Sequence, residues 1–239
     1  MVNWRCLAYT WIQRAYAPFR AFLPKQIADP LRSVATAFLA PVLFSLRSGH
    51  FRSSFARAAV DRQGEPIPWY TYPCIEFLNH RDFSNASVLE FGGGQSTIWW
   101  GRRAKRVLCL EDNAEWLGGL RQRVSPAVEL RQASMASPQA CVDSINEAVQ
   151  DQRFDVVVID GLWRDHLISI AARVVSDTGI IICDNSEGYG FQQRFSGYDF
   201  MRVDFYGYVP GLVQPHCTSI YFKPGAAALH PGHKIAVVA

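Results

Sequence analysis

The sequence predicts an α/β protein built on a doubly wound, mostly parallel β-sheet, with helices ahead of the sheet and an antiparallel hairpin at its end. From residue 87 to residue 186, short apolar runs alternate with amphipathic segments, which is typical of strand–helix–strand units. Several of these runs end in a carboxylate or a glycine. The last two strand-like runs are joined without a helical pattern between them, and such strands pair antiparallel.

Residues 1–62 form a basic leader rich in aromatic residues. They carry nine basic and two acidic side chains, a net charge of +7 within a chain of net charge +3. The apolar run 33–46 contains Pro41 and is shorter than the roughly 20 residues that span a bilayer, so we expect no membrane crossing. Two interpretations stay open: helices that pack on the main domain or on a second subunit, or an interfacial segment with its arginines on anionic lipid. The aromatic residues that would reach the headgroups are Trp4, Trp11, Tyr16, Phe19 and Phe22.

Composition sets the domain organisation and excludes some sites. The polar linker 61–68 is rich in breakers, so we predict a main domain over residues 63–223 and a loose tail over 224–239. The six cysteines have no paired spacing, which argues against a disulfide framework or a zinc site. No recognisable nucleic-acid-reading module accompanies the basic leader.

The segment 87–97 is the centre of the predicted domain. Its apolar run ends with Glu90 and is followed by Gly92, Gly93 and Gly94, so it predicts a buried strand, a tight turn and the start of a helix. A dinucleotide fingerprint needs a glycine at the sixth position of the turn, where Thr97 stands here. A glycine-rich turn of another α/β fold remains the plain alternative.

The acidic-x-Gly-x-Gly pattern resembles the first motif of class I S-adenosylmethionine-dependent methyltransferases. The resemblance covers about residues 66–223 and implies a seven-stranded Rossmann-like fold. It implies that Gly92, Gly93 and Gly94 pass under the cofactor and that Glu90 holds its amino group. It further implies that Ser96 and Thr97 lie near the methionine carboxylate.

Later strands supply the other predicted cofactor ligands. The run 106–112 ends in Glu111, close to the ~20-residue spacing at which a second-strand acid meets a ribose diol. By the resemblance, residues 132–134 approach the adenine ring. Aromatic residues ahead of the glycine turn, at 69, 70 and 72, either cover the ligand or simply pack.

The fourth and fifth strands, over 154–161 and 179–186, end in polar residues at the ligand edge of the predicted sheet. Asp160, Asp184 and Asn185 resemble the Mg²⁺ site of cation-dependent O-methyltransferases, and oxygen ligands suit a hard cation. The lysine usual in those enzymes is absent, so we predict His166 and Asp160 as the proton-handling residues. Asp160 also counts among the predicted cofactor ligands.

The sequence thus predicts S-adenosylmethionine-dependent methyl transfer to a small-molecule or carbohydrate acceptor, at oxygen, with Mg²⁺ as a second cofactor. We expect no nucleic-acid partner and a cytoplasmic protein, with peripheral contact at the inner face of the membrane as the finer prediction. The alternatives are an NAD-dependent oxidoreductase and a non-catalytic, membrane-associated protein that retained the fold.

Overall fold

The computed structural model describes residues 24–134 and 136–226. Within them, two helices come first, α1 (Lys25–Ser48) and α2 (His50–Ala56). They are followed by α3 (Tyr72–Asn79), β1 (Ser87–Phe91), α4 (Gln95–Gly101), β2 (Arg106–Glu111), α5 (Ala114–Arg121), β3 (Val128–Gln132) and α6 (Pro138–Val149). The chain continues through β4 (Phe154–Ile159), a 3₁₀ turn (Arg164–His166), α7 (Ile168–Val174), β5 (Val175–Cys183), α8 (Phe191–Phe195), β6 (Met201–Tyr208) and β7 (Pro215–Phe222).

The described strands form one seven-stranded sheet in the order β3-β2-β1-β4-β5-β7-β6. Strands β1 to β5 pair in parallel. Strand β7 inserts antiparallel between β5 and β6, which confirms the predicted terminal hairpin. The order reverses between β1 and β4, because β2 and β3 continue to one side and β4 and β5 to the other.

Successive side chains of the central strands point to opposite faces of the sheet, and helices cover both faces. Leu89 and Phe91 pack into one core together with helices α6 and α7, whereas Val88 packs into the other with α3 and α4. Apolar residues on both faces explain why the fourth strand reads as a continuous hydrophobic run. Glu90 is the exception, a carboxylate buried on the same face as Val88.

The helix that contains the apolar run 33–46 is longer than the run on which the expectation of no membrane crossing was based. Helix α1 has 24 residues, runs through Pro30 and Pro41, and is long and apolar enough to span a membrane by length and composition. Such a helix near an N-terminus is weak evidence of membrane insertion, because signal sequences and core helices pass the same test. The described part of the leader is therefore one long helix and one short one, and residues 1–23 lie outside the described range.

The leader is joined to the domain by packing as well as by the chain. Ala59 is fully buried in the core that lies against α3, and Val60 bridges to Pro66 across the linker. Phe44 of α1 meets the ring of Tyr72 edge-on at 5.2 Å. The boundary at residue 62 stays a prediction, and the predicted tail beyond residue 226 lies outside the described residues.

Candidate active site

The glycine turn lies where the strand order reverses, the place at which open α/β sheets bind ligands. Gly92 follows β1 and Gly161 follows β4, and both have positive φ, of 89° and 87°. A Cβ on Gly92 would come within 3.0 Å of the Asp160 and Gly161 backbone, so the two strand ends touch without side chains between them. This close approach brings the β1 turn and the β4 loop to one crevice.

Glu90 is a fully buried carboxylate at the end of β1. Its Oε2 accepts a hydrogen bond of 2.5 Å from the Thr97 hydroxyl, which in turn accepts the Gly94 N–H at 2.9 Å. Burial raises the pKa of Glu90 to about 8, and the hydroxyls of Ser96 and Thr97 only partly offset that effect. Its Oε1 has no hydrogen-bond partner among the described residues.

Thr97 lies inside the fold, between the glycine turn and Glu90. It is fully buried, and its single hydroxyl already links the glycine turn to Glu90. Thr97 therefore fixes the carboxylate and the turn relative to each other, and we do not carry forward the predicted contact of Thr97 with a methionine carboxylate. Ser96 is also buried and lies beside Glu90.

Glu111 ends β2 and organises the second half of the turn. Its carboxylate accepts the Gly93 N–H at 2.7 Å and the N–H groups of Asp112 and Asn113 at 3.1 Å. The Gly93 carbonyl accepts the indole N–H of Trp116 at 2.8 Å. Gly93 is thus held by protein groups on both sides, and Trp116 is a residue near the turn that the sequence pattern did not single out.

These residues fit the predicted cofactor. The unpartnered Oε1 of Glu90 is a buried acceptor suited to an ammonium group, which would also favour the ionised carboxylate. A Cβ on Gly94 would meet only Ser96 Oγ at 4.0 Å, so the turn is open on that side. Glu111 is half-buried, and its Oε2, which accepts only the Gly93 N–H, keeps one lone pair for a ribose hydroxyl.

The structure does not support the predicted Mg²⁺ site, because the side chain of Arg164 is hydrogen-bonded to all three residues of the predicted ligand set. The guanidinium of Arg164 donates to Asp160 Oδ1 at 2.5 Å, to Asn185 Oδ1 at 3.1 Å and to the Asp184 carbonyl at 2.6 Å. Its Nε donates to the Gly161 carbonyl at 3.0 Å. The described residues contain no cluster of His, Cys, Asp and Glu that could hold a metal ion.

Arg164 supplies the positive charge that the metal hypothesis assigned to a cation. It lies four residues after Asp160, and its side chain is only 10% exposed. Asp184 is buried beneath it and accepts the Thr218 hydroxyl at 3.0 Å. Burial and the nearby Asp160 raise the pKa of Asp184 to about 7, while Arg164 opposes that shift.

His166 lies apart from the hydrogen-bond network of Asp160. It is half-exposed, with Nε2 at 3.6 Å from an oxygen of Asp165, and it meets the ring of Trp163 at 6.3 Å. No bond between His166 and Asp160, Asp184 or Asn185 is found in the described part of the chain. The predicted role of His166 in proton handling therefore stays a prediction.

A second histidine, His216, does join this network. It begins β7 at the ligand edge, where its Nδ1 lies 2.7 Å from Glu187 Oε1 and 3.3 Å from Asn185 Nδ2. The sequence did not indicate it, because His216 precedes an antiparallel strand far along the chain. Its partner Glu187 directly follows the predicted fifth strand.

Of the remaining residues predicted to contact the ligand, some lie in the core and others at the ligand edge of the sheet. Tyr70 is fully buried and accepts the Trp100 indole N–H at 3.3 Å, so this aromatic residue is part of the core. Trp69 donates to the Pro210 carbonyl at the ligand edge. Gln132 donates to the Asp112 carbonyl and Ala133 is buried, which leaves the adenine contact a prediction.

Comparisons with known proteins give structural similarities at low sequence identity. A precorrin-6y C5,15-methyltransferase from Geobacter metallireducens GS-15 is 18% identical, with a TM-score of 0.48 over 62% of this chain and 86% of that one. An rRNA methylase from Streptococcus thermophilus is 12% identical, with a TM-score of 0.46 over 63% and 96%. M. jannaschii TYW2, in complex with AdoMet, is 14% identical, with a TM-score of 0.42 over 69% and 80%.

No family model and no curated protein matches the chain. At these identities and TM-scores we draw no conclusion on substrate or mechanism from the similar structures. Two of the named structures are of a methyltransferase and a methylase, the third is in complex with AdoMet, and this chain is similar to all three in its fold.

Proposed function

We propose that this chain is an S-adenosylmethionine-dependent methyltransferase that methylates an oxygen of a small molecule or carbohydrate. The observation that carries the proposal is the buried Glu90 with its unpartnered Oε1, beside an open glycine turn at the point where the strand order reverses. An ammonium group gains a charge-assisted hydrogen bond from the ionised form of that carboxylate and a pyrophosphate does not, which disfavours a dinucleotide.

Each residue has a defined task in this proposal. Glu90 accepts the cofactor's ammonium group, and Thr97 holds the carboxylate in place. The N–H groups of Gly93, Asp112 and Asn113 orient Glu111 toward the ribose. The cofactor supplies an activated methyl group on a sulfonium, so the protein must align the acceptor and accept its proton.

The acceptor would lie over the ends of β4 and β5. Asp160, Arg164 and Asn185 line that region, and the network of hydrogen bonds among them keeps their polar groups fixed. A preorganised edge of this kind suits the positioning of a polar acceptor without a metal ion.

Isotopically labelled cofactor tests the activity. The protein is incubated with cell extract and labelled S-adenosylmethionine, and small-molecule, glycan and nucleic-acid fractions are analysed by mass spectrometry. We expect the label in a small molecule or glycan, and none with the Gly94→Val variant. Label recovered only in nucleic acid would contradict the acceptor class, and no labelled product in any fraction would contradict the activity.

We also propose that α1 lies on an anionic membrane surface. Apolar side chains spaced by three or four residues form a stripe along one side of the helix, and Phe38 in its middle is 73% exposed. The stripe comprises Ile27, Leu31, Val34, Phe38 and Val42. Exposed basic side chains occur on α1, on α2 and directly after α2: Lys25, Arg32, Arg47, Arg52 and Arg57. An apolar face beside cationic groups is complementary to anionic lipid.

The leader also borders the ligand edge. The Gly211 N–H donates to His50 Nδ1 of α2 at 3.3 Å, and Phe44 of α1 lies 6.2 Å from the ring of Tyr208 at the end of β6. Strand β6 runs parallel to β5, so this end lies at the edge that carries the site. A membrane under α1 would therefore be close to the acceptor region.

Vesicle sedimentation tests the membrane proposal. We expect the full-length protein to sediment with phosphatidylcholine vesicles containing phosphatidylserine and to be released by high salt, because surface attraction is screened. Phe38→Glu should abolish sedimentation, whereas Ala40→Glu, with the same charge on the opposite helix face, should weaken it only slightly. Equal sedimentation of the two variants, or none for the wild type, would contradict the proposal. Self-association without vesicles would indicate a second copy on this face instead.

A further inference from the structure

The strongest unassigned cluster at the ligand edge is His216, Glu187 and Asn185. All three lie at or beyond the ends of β5 and β7. Glu187 is anchored, because its Oε2 accepts the Cys217 N–H at 2.9 Å while its Oε1 lies 2.7 Å from His216 Nδ1. The carboxylate thus holds the imidazole from a fixed position.

The two contacts at Nδ1 of His216 determine which ring nitrogen carries the proton. Glu187 is an acceptor and lies at 2.7 Å, whereas the amide Nδ2 of Asn185 is a donor at 3.3 Å. The shorter, charge-assisted contact places the proton on Nδ1. Nε2 then keeps its lone pair, and no hydrogen bond to Nε2 is found among the residues described.

The place of His216 in the sheet suits a reaction at the acceptor. Its side chain is 24% exposed at the ligand edge. Strand β7 is two strands from β4, a distance of about 10 Å at the usual strand spacing. An acceptor lying over β5 would have Asp160 and Arg164 on one side and His216 on the other.

We propose that His216 is the catalytic base that takes the proton of the methyl acceptor at Nε2, and that the acceptor group is a hydroxyl. This inference rests on the proposed methyltransferase function. As the acceptor oxygen bonds to the methyl carbon, the carbon–sulfur bond breaks with its electron pair going to sulfur. The hydroxyl proton passes to Nε2, and Glu187 stabilises the resulting imidazolium through Nδ1.

The charged surroundings of His216 agree with this role. Glu187 is the charged group in hydrogen-bond contact with the ring in the described ranges. Arg164 faces it only through Asn185, which accepts the arginine at 3.1 Å. Across the hairpin, the register partner of His216 is Gly207, which carries no charge.

The tautomer of His216 is measurable without any substrate. In full-length protein labelled with ¹⁵N in histidine, two-dimensional NMR distinguishes a protonated Nδ1 from a protonated Nε2. We expect neutral His216 to carry its proton on Nδ1, where the carboxylate of Glu187 accepts it. A proton on Nε2 in the neutral ring would overturn the proposal.

Methyl transfer into cell extract gives the second readout. We expect His216→Gln to lower the rate by roughly 10²–10⁴-fold, and Glu187→Gln to lower it by a smaller factor, because the imidazolium then lacks its carboxylate partner. His80→Gln is the matched control, since His80 forms another His–Glu pair with Glu76 on α3, away from this cluster. Full transfer by His216→Gln, or by Glu187→Gln, would overturn the role of His216.

Calorimetry separates this inference from the function on which it rests. S-adenosylhomocysteine should bind the wild type, His216→Gln and Glu187→Gln with similar affinity. If it binds none of them, the proposed function fails. If it binds all of them and His216→Gln still transfers methyl groups at the wild-type rate, only the assignment of the base fails.

Discussion

Glu90 is the residue on which the site depends most, and it acts against the stability of the fold. Its pKa rises from 4.5 to about 8 on burial, so the folded protein holds a proton that the unfolded chain releases in that interval. Stability is lost wherever the unfolded state binds fewer protons, here as pH rises from about 4.5 to 8. A buried acid of this kind is tolerable if a ligand cation compensates it.

Glu90→Gln should therefore stabilise the protein in a pH-dependent way. The amide oxygen still accepts the Thr97 hydroxyl, but nothing ionises. Relative to the wild type, the gain in free energy of unfolding should be on the order of 2–3 kcal/mol larger at pH 8 than at pH 5.5. Urea unfolding at the two pH values measures it. An equal difference at both pH values would show that Glu90 has an ordinary pKa in the fold.

Gly92 and Gly94 of the turn differ in how much room they leave for a side chain. Gly92 has a positive φ and no room for a Cβ, whereas Gly94 has extended backbone that any residue adopts and open space beside it. We expect Gly92→Ala to lower the melting temperature and Gly94→Val to leave it nearly unchanged while abolishing S-adenosylhomocysteine binding. Gly118→Ala, in open space on α5, is the control for both. Full cofactor affinity in Gly94→Val would contradict the placement of the ligand.

Arg164 links the ends of β4 and β5 through its hydrogen bonds. Removing it leaves Asp160 and the buried Asp184 without their cation, and breaking a buried pair is costly. Arg164→Ala should lower the free energy of unfolding by about 2–4 kcal/mol near neutral pH. Arg194 is exposed and pairs with Asp165. Arg194→Ala should therefore lower the free energy of unfolding by less than about 1 kcal/mol. A similar small loss of unfolding free energy in the two variants would show that Arg164 does not stabilise the two strand ends.

At the scale of elements, strand ends were predictable and side-chain partnerships were not. The apolar runs placed β1, β2, β4 and β5 because buried parallel strands need apolar residues on both faces. The same pattern brought Asp160, Asp184 and Asn185 to one edge, as predicted. It gave no sign that Arg164 would fold back between them, because the loop conformation depends on Gly161 and Trp163, both with positive φ.

Helix α1 illustrates a different limit of sequence reasoning. Proline at position 41 argued for a break, yet the helix continues through it to Ser48. Proline removes one backbone hydrogen bond and disturbs the preceding turn, and neighbouring turns can absorb that cost. The length of the helix was therefore underestimated, although its apolar character was correctly identified.

At the scale of the whole molecule, the doubly wound sheet and its terminal hairpin were predicted from the sequence, and the order of the strands was not. Parallel strands joined by helices wind to both sides of the first strand, and two strands without a helix between them form a hairpin. The pairing of Glu187 with His216 joins the end of β5 to the start of β7, and it exists only because β7 inserts between β5 and β6. Contacts of this kind follow from the assembled sheet and have no local sequence pattern.

The most direct test of the account is calorimetric titration of the full-length protein with S-adenosylhomocysteine at pH 7, in buffers with different ionisation enthalpies. We predict one site per chain and release of up to one proton, because the ligand's ammonium group ionises Glu90 on binding. In Glu90→Gln, the dependence of the measured enthalpy on the buffer should disappear. Failure to bind S-adenosylhomocysteine, together with stoichiometric binding of NAD, would contradict the central claim.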